Sequence, residues 1–251
     1  MSDADVLFRD ATKALDEGRA ADAIASFEAL ADRGVLDAAT SYDRGLAYAA
    51  RVRIGAEVPG DLGRAAQGFE EAKNLAADPK LADDATRALA IVRAEVARRR
   101  GRSGESVELD QGPSLGRSVT HLVAEDVWSA GAGVASVALG IALFVRWLAS
   151  SRRARVGATI AAAIAAPLLV LFAVLSLAMQ NERLHRREAV VVTSAARPVD
   201  DRGITIPSAA ALPEAALVEI VGERPGFVRV RWGSVDAWVA SSSVRAVARA
   251  E

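Results

Sequence analysis

Residues 127–179 read VWSAGAGVASVALGIALFVRWLASSRRARVGATIAAAIAAPLLVLFAVLSLAM. The segment holds two charge-free apolar runs, Val127–Val145 and Val156–Met179, on either side of an arginine-rich bend. Each run is near the roughly 20 residues that a helix needs to cross a bilayer core. Trp128 and Trp147 bracket the first run, about 28 Å apart at 1.5 Å per residue, and tryptophan favours the two membrane interfaces. Two buried core helices would be the alternative, but runs this long, adjacent and free of charge fit a transmembrane hairpin, with spans at 127–147 and 156–179.

Small residues recur at helical spacing in both spans: Ala132, Ser136 and Gly140, then Gly157, Ala161 and Ala165. Such residues allow close helix packing in lipid, where no hydrophobic force drives association. Pro167 falls mid-span and is expected to kink the second helix. Neither span contains an ionisable residue, which argues against a proton path, an ion site or a voltage sensor. The bend carries Arg146, Arg152, Arg153 and Arg155 and no acid, whereas the outer flanks mix Arg117, Arg183, Arg186 and Arg187 with Glu125, Asp126, Glu182 and Glu188. The positive-inside rule then places the bend in the cytoplasm and both terminal segments outside it.

The chain has 251 residues, a net charge of -1, two histidines and no cysteine. Near-neutral charge gives no sign of nucleic-acid binding, and the lack of cysteine excludes disulfides and thiolate metal sites. Met1-Ser2-Asp3-Ala4-Asp5 lacks the basic head and apolar core of a signal peptide. With an external N-terminal segment, three explanations stay open: the start is incomplete, the first span exports what precedes it, or the topology is inverted.

Residues 4–100 carry the 3.6-residue period of helices: Leu7, Ala11, Leu15; Ala23, Phe27, Leu30; Ala65, Phe69, Ala72; and Ala85, Leu89, Val92, Val96. Gly18, Gly60 and Pro79 punctuate them. Gly18–Glu28 aligns with Gly60–Glu70 at an offset of 42 residues, with Gly, Ala, Phe and Glu in common. Tyr42, Gly45 and Tyr48 precede the second copy. This pattern resembles the tetratricopeptide repeat, whose period of about 34 residues carries Ala-x3-Phe in its second helix. The extra eight residues fall near Val52–Pro59, as a lengthened helix or loop. The resemblance implies an all-α repeat domain over 1–100, with two repeats in 4–79, a closing helix at Leu81–Arg100, and a concave face that takes a peptide or helix. Tyr42 and Tyr48 are candidate partner-binding residues; Phe27 and Phe69 read as core. Residues 101–126, rich in glycine and serine, read as a linker, and His121 and His185 as polar residues beside the membrane.

After the hairpin the pattern turns to short strands: 189–193, Leu217–Val221, Phe227–Trp232 and Ala237–Val239, with turns at 222–226 and 233–236. Gly226-Phe227-Val228-Arg229-Val230 and Ala237-Trp238-Val239, after a long loop at Ser194–Pro213, resemble the bacterial SH3 family. The resemblance implies a small all-β barrel over 187–251. The family's usual Asn-Val-Arg-x-Gly-Pro loop is reduced here to Ala196-Arg197-Pro198. Trp232 and Trp238 read as core or rim packing, and as candidate partner-binding residues if exposed at a barrel mouth.

The order of repeats, hairpin and barrel resembles the BatE-type proteins of bacterial aerotolerance operons. It implies a two-pass scaffold at the bacterial inner membrane, with both terminal domains periplasmic, beside von Willebrand A-domain membrane proteins and a MoxR-type ATPase. A cell-wall tether, with the SH3-like domain on peptidoglycan, is the alternative. The sequence contains no nucleophile elbow, no phosphate-binding loop with lysine and no His-x-x-x-His pair, so neither catalysis nor a cofactor is expected.

Overall fold

The computed structural model describes residues 3–104, 125–185, 187–200, 202–207, 209–233 and 235–249. The chain folds into two compact units, 1–111 with 187–251, and 112–186. The first unit is therefore discontinuous in sequence. Most of the expected linker, with His121, lies outside the described residues.

Five helices open the first unit: α1 (Asp3–Asp16), α2 (Ala20–Asp32), α3 (Ala38–Arg53), α4 (Asp61–Leu75) and α5 (Pro79–Arg102). Each packs on the next in sequence. Their ends follow local chemistry. Asp37 caps α3, accepting from Thr40 N at 2.8 Å, and Asp78 caps α5, accepting from Lys80 N at 3.0 Å. Pro79 takes the first position of α5, where a missing N–H costs nothing. After α2 the chain turns at Gly34, with φ +77, and Val35 N reaches back to Leu30 O at 3.0 Å.

Most of the periodic residues face inward as expected, whereas Leu7 and Leu15 of α1 are only half-buried. Ala23, Phe27, Leu30, Ala65, Phe69, Ala72, Ala85, Leu89, Val92 and Val96 are all buried. The residues from Ile54 to Gly60 form the loop that joins α3 to α4. Helix α4 also buries three carboxylates, Asp61, Glu70 and Glu71. Each meets an arginine on a neighbouring helix. Arg51 grips Asp61 at 2.8 and 2.5 Å, Arg93 reaches Glu70 at 2.8 Å, and Arg44 pairs with Glu71. A buried charge with one partner removed is strongly destabilising, so these pairs tie α3 and α5 to α4 in one register. Burial outweighs Arg44 and raises the Glu71 carboxyl above its usual range.

The β part of the same unit is an antiparallel sheet of order β6-β5-β4-β1-β7. Its strands are β1 (Arg187–Val191), β4 (Leu217–Arg224), β5 (Phe227–Trp232), β6 (Val235–Ala240) and β7 (Val244–Ala246); β2 (Ala195–Ala196) and β3 (Leu212–Pro213) form a separate ladder. Strand β5 alternates cleanly, with Val228, Val230 and Trp232 buried and Arg229 and Arg231 exposed. The expected turn at 233–236 is shorter than read, because β6 already begins at Val235. The loop from Ser194 holds the β2–β3 ladder, and Val199 N donates to Trp238 O at 2.8 Å.

Helices and sheet share a core. Val190, Ala215 and Val247 join the helical cluster built on Phe27, Tyr48, Phe69 and Leu89. The first turn of α4 lies directly on the end of β1. A Cβ on Gly63 would stand 2.4 Å from Val191 O, and one on Gly60 would stand 2.2 Å from Val192 O. Only glycine allows that approach.

The second unit contains α6 (Glu125–Leu148) and α7 (Arg152–His185), packed on each other. Both are long and apolar enough to cross a membrane. The apolar side chains face outward: Val134 is 71% exposed, Phe144 60%, Ile164 58% and Val170 62%. The two helices meet through Ala135 and Ala142 on one side and Ala158 and Ala165 on the other, with Phe172 against Gly131. The expected small-residue stripe is thus only partly the packed face. Ala165 belongs to it, whereas Ser136, Gly140, Gly157 and Ala161 are exposed. Helix α7 continues through Pro167.

Candidate partner-binding groove

The buried face of α3 carries Ser41, Arg44, Gly45 and Tyr48. Its opposite face carries Leu46, Ala49, Ala50 and Arg53, which line a groove of about 860 Å³ between α1, α3 and α5. Alanine keeps the floor low. Leu15 of α1 and Ile91 and Val92 of α5 supply the apolar walls. Ile54 and Ile91 are 61% and 71% exposed.

Charge surrounds this apolar strip. Asp16 and Glu95 stand at the rim with Arg53, Arg98 and Arg99. Glu95 accepts from Arg98 Nε at 2.8 Å and Arg99 Nε at 2.7 Å, and Arg99 also reaches Glu57 at 2.6 Å. Hydrogen bonds from Arg98 and then Arg99 hold the Glu95 carboxyl below its usual range. Bonds to Glu57 and Glu95 raise the Arg99 guanidinium. The arrangement suits an amphipathic peptide: an apolar stripe for the floor and charges of both signs for the rim. Among the described residues no group of three or more Asp, Glu or His side chains could hold a metal ion.

The four aromatic residues singled out from sequence lie elsewhere. Tyr48 is 1% exposed, and its hydroxyl donates to Glu28 Oε1 at 2.9 Å. Burial pushes its phenol up to about 12. Tyr42 is half-buried and packs on Phe69 with ring centroids 5.5 Å apart. Trp232 is 8% exposed, inside the sheet's core. Trp238 is half-buried under the Arg224 guanidinium, 4.4 Å from its ring centre, and Arg224 also covers Phe227 at 4.6 Å. Tyr48 and Trp232 therefore offer almost no surface to a partner, and Tyr42 and Trp238 offer part of a ring each.

Comparisons with protein-family models, curated proteins and solved structures find no match. The groove residues escape a reading of the sequence because their outward side chains interrupt no apolar period. The one visible signal is Ile91, a large apolar residue next to the buried Leu89–Val92 stripe of a helix otherwise rich in charge.

A second cavity, of about 570 Å³, lies where helices and sheet meet. Glu214 lines it and accepts from Gly63 N, in the first turn of α4, at 2.8 Å. Burial raises the Glu214 carboxyl, against the lowering effect of that N–H.

Proposed function

We propose that this protein is a non-enzymatic adaptor, anchored in a bacterial inner membrane by α6 and α7, that holds a partner segment in the groove of its helical unit. The groove carries the reading: an exposed apolar strip with a fixed charged rim is a surface for a peptide rather than a reaction centre. Outward-facing Val, Ile, Leu and Phe on both long helices support lipid as their solvent. A two-pass anchor returns the chain to the side it left, which suits the joining of 1–111 with 187–251 in one unit.

In this reading α1 to α4 are two tetratricopeptide repeats, α5 closes the stack, and the sheet is an SH3-like domain. The bend faces the cytoplasm and the joined unit the periplasm. The partner is an amphipathic segment of a membrane-associated protein, for which a von Willebrand A-domain protein and a MoxR-type ATPase are the first candidates. The packing of Trp232 and Trp238 favours this over a peptidoglycan tether.

The test is a photo-crosslinking amino acid at Ala49 or Ile91 in the groove, and at Glu28 away from it, in the full chain in cells. One defined partner trapped from both groove positions, and lost in Ile91→Glu, supports the adaptor. Equal trapping from Glu28, or none from the groove, overturns it. Recovery of the chain in the supernatant without detergent overturns the anchor.

A further inference from the structure

The bend between α6 and α7 forms a cup of about 600 Å³ lined by Arg146, Arg152, Arg155, Val156, Thr159 and Ile160. Arg146 comes from the last turn of α6 and Arg152 and Arg155 from the first turn of α7. Two of the arginines are held in place. Arg146 Nη1 donates to Thr159 Oγ1 at 3.0 Å. Arg155 donates through Nε to Ala149 O at 3.0 Å and through Nη2 to Ser150 O at 3.3 Å. The bend contains no acid. Among the described residues none of its arginines makes an ion pair, so three guanidiniums share one cup without a counter-charge. A guanidinium fork matches the oxygens of a phosphate.

The cup is not polar throughout. Val156 and Ile160 make its lower wall, on the side where α7 becomes apolar, and are 52% and 57% exposed. Trp147, next to Arg146, is 83% exposed, and a tryptophan ring so placed suits headgroup depth. An occupant must bring negative oxygens to the arginines and hydrocarbon to Val156 and Ile160. A free phosphate satisfies only the first demand.

We infer that this cup binds the phosphate of an anionic phospholipid, whose acyl chains run along Val156 and Ile160. The inference rests on the proposed membrane anchoring. Positive-inside charge would orient the hairpin without any bound lipid. What separates the two is position: Arg153 carries the same charge in the same bend but does not line the cup.

The experiment measures phosphatidylglycerol and phosphatidylcholine retained by the detergent-purified full chain, by native mass spectrometry. Preferential retention of phosphatidylglycerol is expected. Arg152→Gln and Arg155→Gln should each weaken it about fivefold, in line with the contribution of one basic residue near an anionic surface. Arg153→Gln should change it less than twofold. The Arg152 side chain makes no hydrogen bond among the described residues, so Arg152→Gln keeps the test decisive even if Arg155→Gln disturbs the bend. Equal retention of the two lipids overturns the inference, as does an Arg153→Gln effect matching that of Arg152→Gln. Displacement of the lipid by equimolar glycerol phosphate also overturns it, assigning the cup to free oxyanions. A chain that is recovered without detergent removes the anchor as well, which none of the other outcomes does.

Discussion

At Gly68 there is no room for a side chain. A Cβ there would stand 2.7 Å from Ser41 O and 2.8 Å from Gly45 N, both backbone atoms of α3. Gly68→Ala gains up to about 1 kcal/mol of helix propensity, but the backbones must separate, and a net loss of about 1 to 3 kcal/mol is expected in denaturant titration. Phe27 and Phe69 are 0% and 1% exposed, so truncating either to alanine should cost about 3 to 5 kcal/mol in the same measurement. Asp43 sets a pH dependence. Burial first, then Asp16 and Asp37, raise its carboxyl to about 6 from an ordinary 3.8. The folded state therefore holds that proton more tightly. Its contribution is complete below pH 3.8 and is lost as pH rises through about 6. Asp43→Asn should stabilise the protein by about 1 to 2 kcal/mol at pH 7, allowing for solvent screening at a half-buried site, and by nothing below about pH 4. The phenylalanines are legible from their spacing alone. Asp43 is not, because Asp16 lies 27 positions away and only packing brings its charge near.

Among elements, α4 depends most on its surroundings. Its first turn receives a carboxylate from residue 214, 151 positions along the chain. Removing a helix cap costs about 1 kcal/mol, so Glu214→Ala should lower stability by about that amount. Glu214→Gln keeps an acceptor while burying no charge, and should lose less than half as much; chemical denaturation of the two variants gives the comparison. The closing helix is read to within two residues at each end, Leu81–Arg100 against the observed Pro79–Arg102, because its period and its proline are local. Strand β5 is equally plain from its alternation. Strand β7 is not: Val244-Arg245-Ala246 has no pattern of its own and becomes a strand by pairing with β1. The groove is illegible for a related reason. Leu46, Ala49 and Arg53 matter through the face they share with Ile91 and Leu15, which only the stacking of α1, α3 and α5 creates.

At the scale of the whole molecule, sequence order hides the main unit. The helical and β segments read as domains on either side of a hairpin, yet Val190, Ala215 and Val247 sit in the helical core. No local signal announces this, since a valine facing a helix and one facing a sheet look the same in sequence. Gln67 Nε2 also donates to Ala246 O at 3.2 Å, so the two segments meet along much of α4. Covalent continuity through the bend is then not what keeps them together. Trypsin admitted to the Arg152–Arg153 bend should leave two fragments that co-elute from a sizing column in mild detergent and part only in denaturant. Fragments that separate without denaturant would show that the shared core is too weak to stand in for the severed peptide bond. Where they stay paired, the halves could be made as separate polypeptides and complement each other, with the later half supplying the missing lid of α4.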